Sequence, residues 1–169
     1  HRLRWHELTL VFRVLRQAYA RAPFDGEGAY RYGGRWSSPG TRFVYTSKHQ
    51  SLAMLEYFVH LDPGDAPDDL VLATADVPDG ISREQLHPRE MPTHWRETPA
   101  PRELAQIGDE FVKKAEKCLL RVPSALAVNE NNWLINPGHP EFRKIAFRTP
   151  EPLRYDPRMF RQTVRRQKH

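Results

Sequence analysis

The sequence predicts an α+β fold. Strand candidates outnumber helix candidates, and they do not alternate with helices as βαβ crossovers would. The chain's 169 residues suit one compact domain, and a 39% hydrophobic content is enough for a modest core. Fifteen prolines are spread along the chain and mark loops near residues 62–69, 78–80, 88–101 and 136–140. The stretch 88–101 is the longest polar connection and carries no recognisable motif.

Residues 10–15 read as the first strand. Residues 43–46, rich in β-formers, read as the second. Ser47 or Ser51 caps the helix that follows, which runs to about His60. Leu52, Leu55, Phe58 and Val59 fill one broad face of it, and Ala53, Met54 and Tyr57 extend the apolar cover. A helix so nearly apolar is expected to be mostly buried. Glu56 and His60 form its one narrow polar stripe, so Glu56 faces either solvent or a polar cleft. Residues 71–77 form a third strand, with Val71, Ala73, Ala75 and Val77 on one face. A longer helix spans about 102–118, where Leu104, Ile107, Phe111, Ala115 and Cys118 recur at helical spacing. Residues 119–122, 133–135 and 144–147 are the remaining strand candidates.

Several classes are excluded. Glu56 and His60 interrupt the longest apolar run, which is too short to span a bilayer. The opening HRLRWHELTL shows no apolar block followed by small residues, so no signal peptide is expected. A single cysteine, Cys118, cannot form an intrachain disulfide framework or a thiolate zinc site, and this suits a reducing cytosol. There is no Walker A loop, G-x-G-x-x-G, HExxH or G-x-S-x-G motif. The net charge of +5 and a pI near 9.6 allow an anionic small molecule, an acidic partner or nucleic acid. Much of that charge lies in the tail RQTVRRQKH, which reads as a solvated terminus. A basic nucleic-acid-binding module is the alternative reading of the whole chain.

One strand–turn–helix segment can gather chemistry. Gly33 and Gly34, which alone read as a hairpin turn, precede Arg35; Tyr45 lies near the end of the second strand, and Glu56 follows in the helix. An arginine pairs bidentately with a diphosphate. An aromatic ring stacks on a flat, even cationic, heterocycle. A carboxylate stabilises positive charge on a ribose carbon as its glycosidic bond breaks. Together these suit an N-glycosidic diphosphate such as NAD. Downstream, VPSALAVNENNWLINPGHP (122–140) places Ser124 at a bend after Pro123. Its asparagines read as turn residues, and His139 as a loop residue bonded to carbonyls.

GGRWSSPGTRFVYTSKHQSLAMLEYFVHL (33–61), VPSALAVNENNWLINPGHP and RYDPR (154–158) resemble the RES-domain toxin family. The positions matching its eponymous arginine, glutamate and serine are Arg35, Glu56 and Ser124. Tyr45 also fits the pattern, and Arg13 in FRV matches an early family arginine. Trp133 stands where a tyrosine is more usual. The match runs over about 12–158, a single RES domain within 1–169, with a basic tail at about 159–169.

The resemblance implies an ADP-ribosyltransferase-like fold: a split, mostly antiparallel sheet with flanking helices and a cleft for NAD+. It implies a toxin that consumes NAD+ as substrate, with water, phosphate or a target protein as acceptor and no metal. Arg35 and Arg13 would grip the diphosphate or its ribose, and Tyr45 would stack near the nicotinamide. Glu56 would stabilise the oxocarbenium-like ribose, and Ser124 would position that ribose or Glu56. Trp36 is expected to pack under the glycine hinge. The implied partner is an antitoxin with a helix-turn-helix DNA-binding region that blocks the active site. The toxin would work in the cytoplasm, without membrane or direct nucleic-acid contact.

Overall fold

The computed structural model describes residues 8–161. Its eight strands are β1 (Thr9–Arg16), β2 (Val44–Ser47), β3 (Leu70–Val77), β4 (Arg83–Gln85), β5 (Leu119–Pro123), β6 (Asn131–Ile135), β7 (Ala146–Phe147) and β8 (Glu151–Leu153). Three α-helices accompany them: α1 (Glu27–Tyr32), α2 (Gln50–Phe58) and α3 (Arg102–Lys114). The sheet runs β4-β5-β6-β2-β1-β3-β7, and β8 also pairs with β3. Only β4 and β5 run parallel. The expected α+β class and mostly antiparallel sheet are therefore present.

The sheet is nearly divided in two. β1 and β3 pair along all eight residues, and β6 pairs with both β2 and β5. The halves meet where β1 joins β2, through the single register pair Phe12–Ser47. Val71, Ala73, Ala75 and Val77 all point into one core with Val11, Leu15, Leu119, Trp133 and Ile135, as the alternation of β3 requires. A second core, with Trp36, Phe43 and Leu104, lies under α3. A third, with Val14, Ala53, Leu70 and Tyr155, lies under α2.

Several sequence expectations need correction. The N-cap of α2 is His49, and no side chain caps that end. Ser47 instead ends β2 and donates to Asn132 Oδ1 at 2.7 Å. α2 is less buried than its composition suggests: Leu52 and Ala53 are buried, but Leu55 and Val59 are 38% and 50% exposed. The helix covers the sheet with one side only.

α3 stops at Lys114 because Ala115 turns left-handed at φ 51°, with its N–H on the Phe111 carbonyl. Cys118 lies beyond it, hydrogen-bonded through its N–H to Ser82. Of the strand expected at 144–147, Lys144 ends a 3-10 turn over Pro140–Lys144 and only Ala146–Phe147 is strand, as β7. The His139 side chain caps that turn by accepting the Glu141 N–H on Nδ1, while its backbone N–H donates to the Asn136 carbonyl. The helix α1 and the short edge strands β4 and β8 carry too few periodic residues to stand out in the sequence.

Near the C-terminus, Phe160 is buried against Phe58 and Tyr155. The rest of the basic tail, 162–169, lies outside the described residues. Among the described residues no helix is long and apolar enough to cross a membrane.

Candidate active site

Glu56 lies on α2 where that helix passes the ends of β5 and β6. Its Oε1 accepts two hydrogen bonds, from Ser124 Oγ at 2.8 Å and Asn132 Nδ2 at 2.7 Å. Ser124 is buried, and its Oγ in turn accepts the N–H groups of Leu126 and Ala127, each at 3.0 Å. With its lone pairs so occupied, the hydroxyl proton goes to Glu56. Ser47 donates to Asn132 Oδ1, which turns the amide's N–H toward the carboxylate. Both neighbours thus load one oxygen, and among the described residues Oε2 accepts no protein hydrogen bond.

The reason lies in the strand register. Asn132 pairs across from Ser47 on β2 and from Val122 on β5. Its side chain therefore alternates with that of Trp133 and reaches the α2 side of the sheet. Asn129 takes a left-handed φ of 67°, and Asn136 bonds the Gly138 N–H, so these two are turn residues as expected. Asn131 and Asn132 are the exceptions, both lying in β6, and the register of Asn132 with Ser47 is the signal that sequence reading alone did not provide.

Arg35 is half-buried and held by a loop. Nη1 donates to the carbonyls of Trp95 and Glu97 at 2.9 and 3.0 Å, and Nη2 donates to Thr98 Oγ1 at 3.3 Å. The motif-free stretch 88–101 thus supplies the clamp. Of five guanidinium N–H groups, those on Nε and one on Nη2 have no protein acceptor among the described residues. Desolvation lowers the affinity of Arg35 for its proton, while the charges of Glu56 and Tyr45 oppose that shift, so the three groups share one neighbourhood.

Tyr45 faces inward at its tip. Its hydroxyl accepts the Trp36 N–H at 3.1 Å and shares a proton with Ser37 Oγ at 2.7 Å. Burial pushes its ionisation up to about 12, against the pull of those hydrogen bonds. Gly33 has φ 70°, and a Cβ on Gly34 would sit 2.7 Å from the Tyr45 hydroxyl. The glycine pair therefore supplies both a left-handed turn and a close approach to an aromatic ring. Trp36 is buried beneath the turn, as expected. From behind, α3 locks it: Asp109 accepts the Ser38 N–H at 2.9 Å, and Gly108 packs directly on the Trp36 carbonyl.

Arg13 lies on the other side of Tyr45. Its Nη1 donates to the Tyr45 carbonyl at 3.2 Å, and its Nε is buried without a partner. Burial lowers its affinity for the proton, and Asp25, Tyr57 and Tyr45 counter that effect. Arg13 therefore sits between the start of α1, β2 and α2. No group of three or more His, Cys, Asp or Glu side chains able to hold a metal occurs among the described residues.

A nearly divided, mostly antiparallel sheet carrying a one-sidedly loaded carboxylate and a loop-clamped arginine defines an α+β protein with a polar cluster built around Glu56. The RES domain family profile matches residues 10–156. The chain is 34% identical over 151 residues to "Toxin Res" of Yersinia enterocolitica, covering 89% of this chain and 99% of that protein. It is 36% identical over 148 residues to the "Prs ADP-ribosylating toxin" of a Sphingobium species, covering 86% and 92%. Its fold resembles a chain of the M. tuberculosis MbcT–MbcA toxin–antitoxin complex, with a TM-score of 0.68 at 17% identity over 88% of this chain and 86% of that one. The chain belongs to the RES-domain toxin family.

Proposed function

We propose that this protein is the toxin of a toxin–antitoxin pair and that it cleaves the nicotinamide–ribose bond of NAD+. The observation that carries this reading is the state of Glu56: one oxygen fixed by Ser124 and Asn132, the other open. A carboxylate held in this way is oriented before substrate arrives, which is the condition for electrostatic stabilisation of a developing charge. Family membership and a relative named for ADP-ribosylation support the choice of substrate.

In the proposed reaction the C–N bond breaks and its electron pair leaves with nicotinamide, which departs neutral. Glu56 Oε2 faces the ribose and stabilises its oxocarbenium-like state. Ser124 holds Glu56. The open Nε–Nη2 edge of Arg35 takes a diphosphate oxygen or the adjoining ribose, with Arg13 on the far side of Tyr45. The Tyr45 ring, whose hydroxyl pins the turn before Arg35, would flank the nicotinamide. An oxygen of water, phosphate or a target protein then bonds to the anomeric carbon. The likeness to a chain of a toxin–antitoxin complex supports an antitoxin partner. That partner would carry a helix-turn-helix region and block the cleft, and the toxin would act in the cytoplasm.

Purified protein mixed with NAD+ should release free nicotinamide. Glu56→Gln should lower the turnover about a hundredfold or more, since it removes the charge and keeps the shape. Unchanged release by a folded Glu56→Gln variant would take Glu56 out of the chemistry.

A further inference from the structure

Trp133 alternates with Asn132 along β6, so its indole lies on the sheet face away from Glu56. The ring is only 2% exposed, and three cations surround it. Lys48 Nζ lies 5.1 Å from its centroid, and the guanidinium carbons of Arg83 and Arg121 lie 5.3 and 5.5 Å from it. Cation–π attraction accounts for each contact singly, but not for gathering three like charges on one ring. Among the described residues none of the three forms an ion pair. Arg83 donates to the carbonyls of Pro78, Asp79 and Ile81. Among the described residues Asp79 is the one acid whose charge strengthens Arg83's hold on its proton, and the two form no ion pair. Arg121 Nε is buried with no acceptor. Burial lowers Arg83's affinity for its proton, and the charge of Arg121 lowers it further. Among the described residues the cluster thus has no ion-paired counter-charge, the Asp79 charge acting on Arg83 only from beyond ion-pair distance.

We infer that Lys48, Arg83 and Arg121 form an anion site over Trp133 that takes a phosphate group. A tetrahedral dianion can accept from two guanidinium edges and an ammonium at once, which a single carboxylate does less completely. Free phosphate and a phosphomonoester carried on a small molecule present the same group. The site is separate from the Glu56 cleft and does not rest on NAD+ cleavage.

The test is a titration of the full chain with inorganic phosphate in the absence of NAD+, reading the indole N–H signal of Trp133 by NMR. Trp133→Phe assigns that signal. A saturable shift is expected. Arg121→Gln should weaken it about tenfold, the loss of one charge-assisted contact. Lys48→Gln alters an exposed side chain and should weaken it in the same direction without disturbing the fold. Arg35→Lys should leave it unchanged. Adenosine monophosphate in a parallel titration separates the two sources: tighter binding than free phosphate selects a phosphomonoester, and equal or weaker binding selects the free ion. The inference is overturned by the absence of a saturable shift, by a shift that survives both Arg121→Gln and Lys48→Gln, or by a response to a glutamate-rich peptide with none to phosphate.

Discussion

Glu56 and Arg35 occupy one neighbourhood but are held in opposite ways. Glu56 projects from a helix, and the groups that fix it stand on or beside two paired strands. Arg35 follows a glycine turn, and two main-chain carbonyls and a threonine of an irregular loop fix it. In the proposed reaction the carboxylate would have to be aimed at one carbon atom, and strands fix a side chain more tightly than loops do. The arginine would need only to present an edge to a diphosphate that itself can turn. The difference suggests that the strand-borne half sets the rate of bond breaking, and that the loop-borne half sets how the substrate is held.

The sharpest way to break that division is to remove the supports of Glu56 without touching it. Ser124→Ala and Asn132→Ala should each lower kcat by about tenfold to a hundredfold, with KM little changed. Because both act on the same oxygen, the double variant should lose less than the product of the two single losses. Fully multiplicative losses would mean that the two residues act independently, and the shared-oxygen account would fail.

The next effect tests whether the turn that carries Arg35 depends on α3. A Cβ on Gly108 would fall 1.6 Å from the Trp36 carbonyl oxygen, which no rotamer can relieve. Gly108→Ala should therefore destabilise the fold by about 1–3 kcal/mol. Alanine's better helix propensity would return only about 1 kcal/mol of that. Denaturant unfolding reads the change. A stabilised variant would show that α3 can slide off the turn at little cost.

A smaller effect is expected from Arg35→Lys. Lysine keeps the charge but loses the planar fork that spans the loop carbonyls and the ligand together. About a tenfold loss of kcat/KM is expected, carried mainly by KM. A loss carried by kcat alone would erase the proposed contrast between the two halves.

The sequence reveals these halves unequally. Arg35, Tyr45 and Glu56 fall within one strand–turn–helix segment, so local reading finds them, and Ser124 follows from family resemblance. Asn132 looked like any turn asparagine because its role depends on pairing between β2 and β6, far apart in the chain. The clamp on Arg35 was hidden for a different reason. Main-chain carbonyls do the work there, and a carbonyl leaves no mark on residue type. Gly108 carries no signal in the sequence, because its contact with the Trp36 carbonyl exists only in the folded chain. β1 and β3 are legible as apolar runs, since one face of each enters the first core and Val14, Leu70 and Leu72 on the other face enter the third.

Tyr45 joins the two halves, and the smallest predicted effect concerns its hydroxyl. The folded protein holds that proton to about pH 12, while an unfolded tyrosine releases it near pH 10. The stability this supplies is complete below pH 10. It drains away as the pH rises toward 12, because the unfolded chain loses the proton first. Tyr155 is also pushed up to about 12 by burial, so both residues contribute to the alkaline slope of the wild type. Tyr45→Phe isolates one share. At neutral pH it should cost about 1 kcal/mol, the loss of a modest hydrogen bond. Between about pH 10 and pH 12 its unfolding midpoint should fall less steeply than that of the wild type. Equal slopes would mean that the hydroxyl is open to solvent, and Tyr45 would then be free to swing toward a ligand instead of pinning the turn before Arg35.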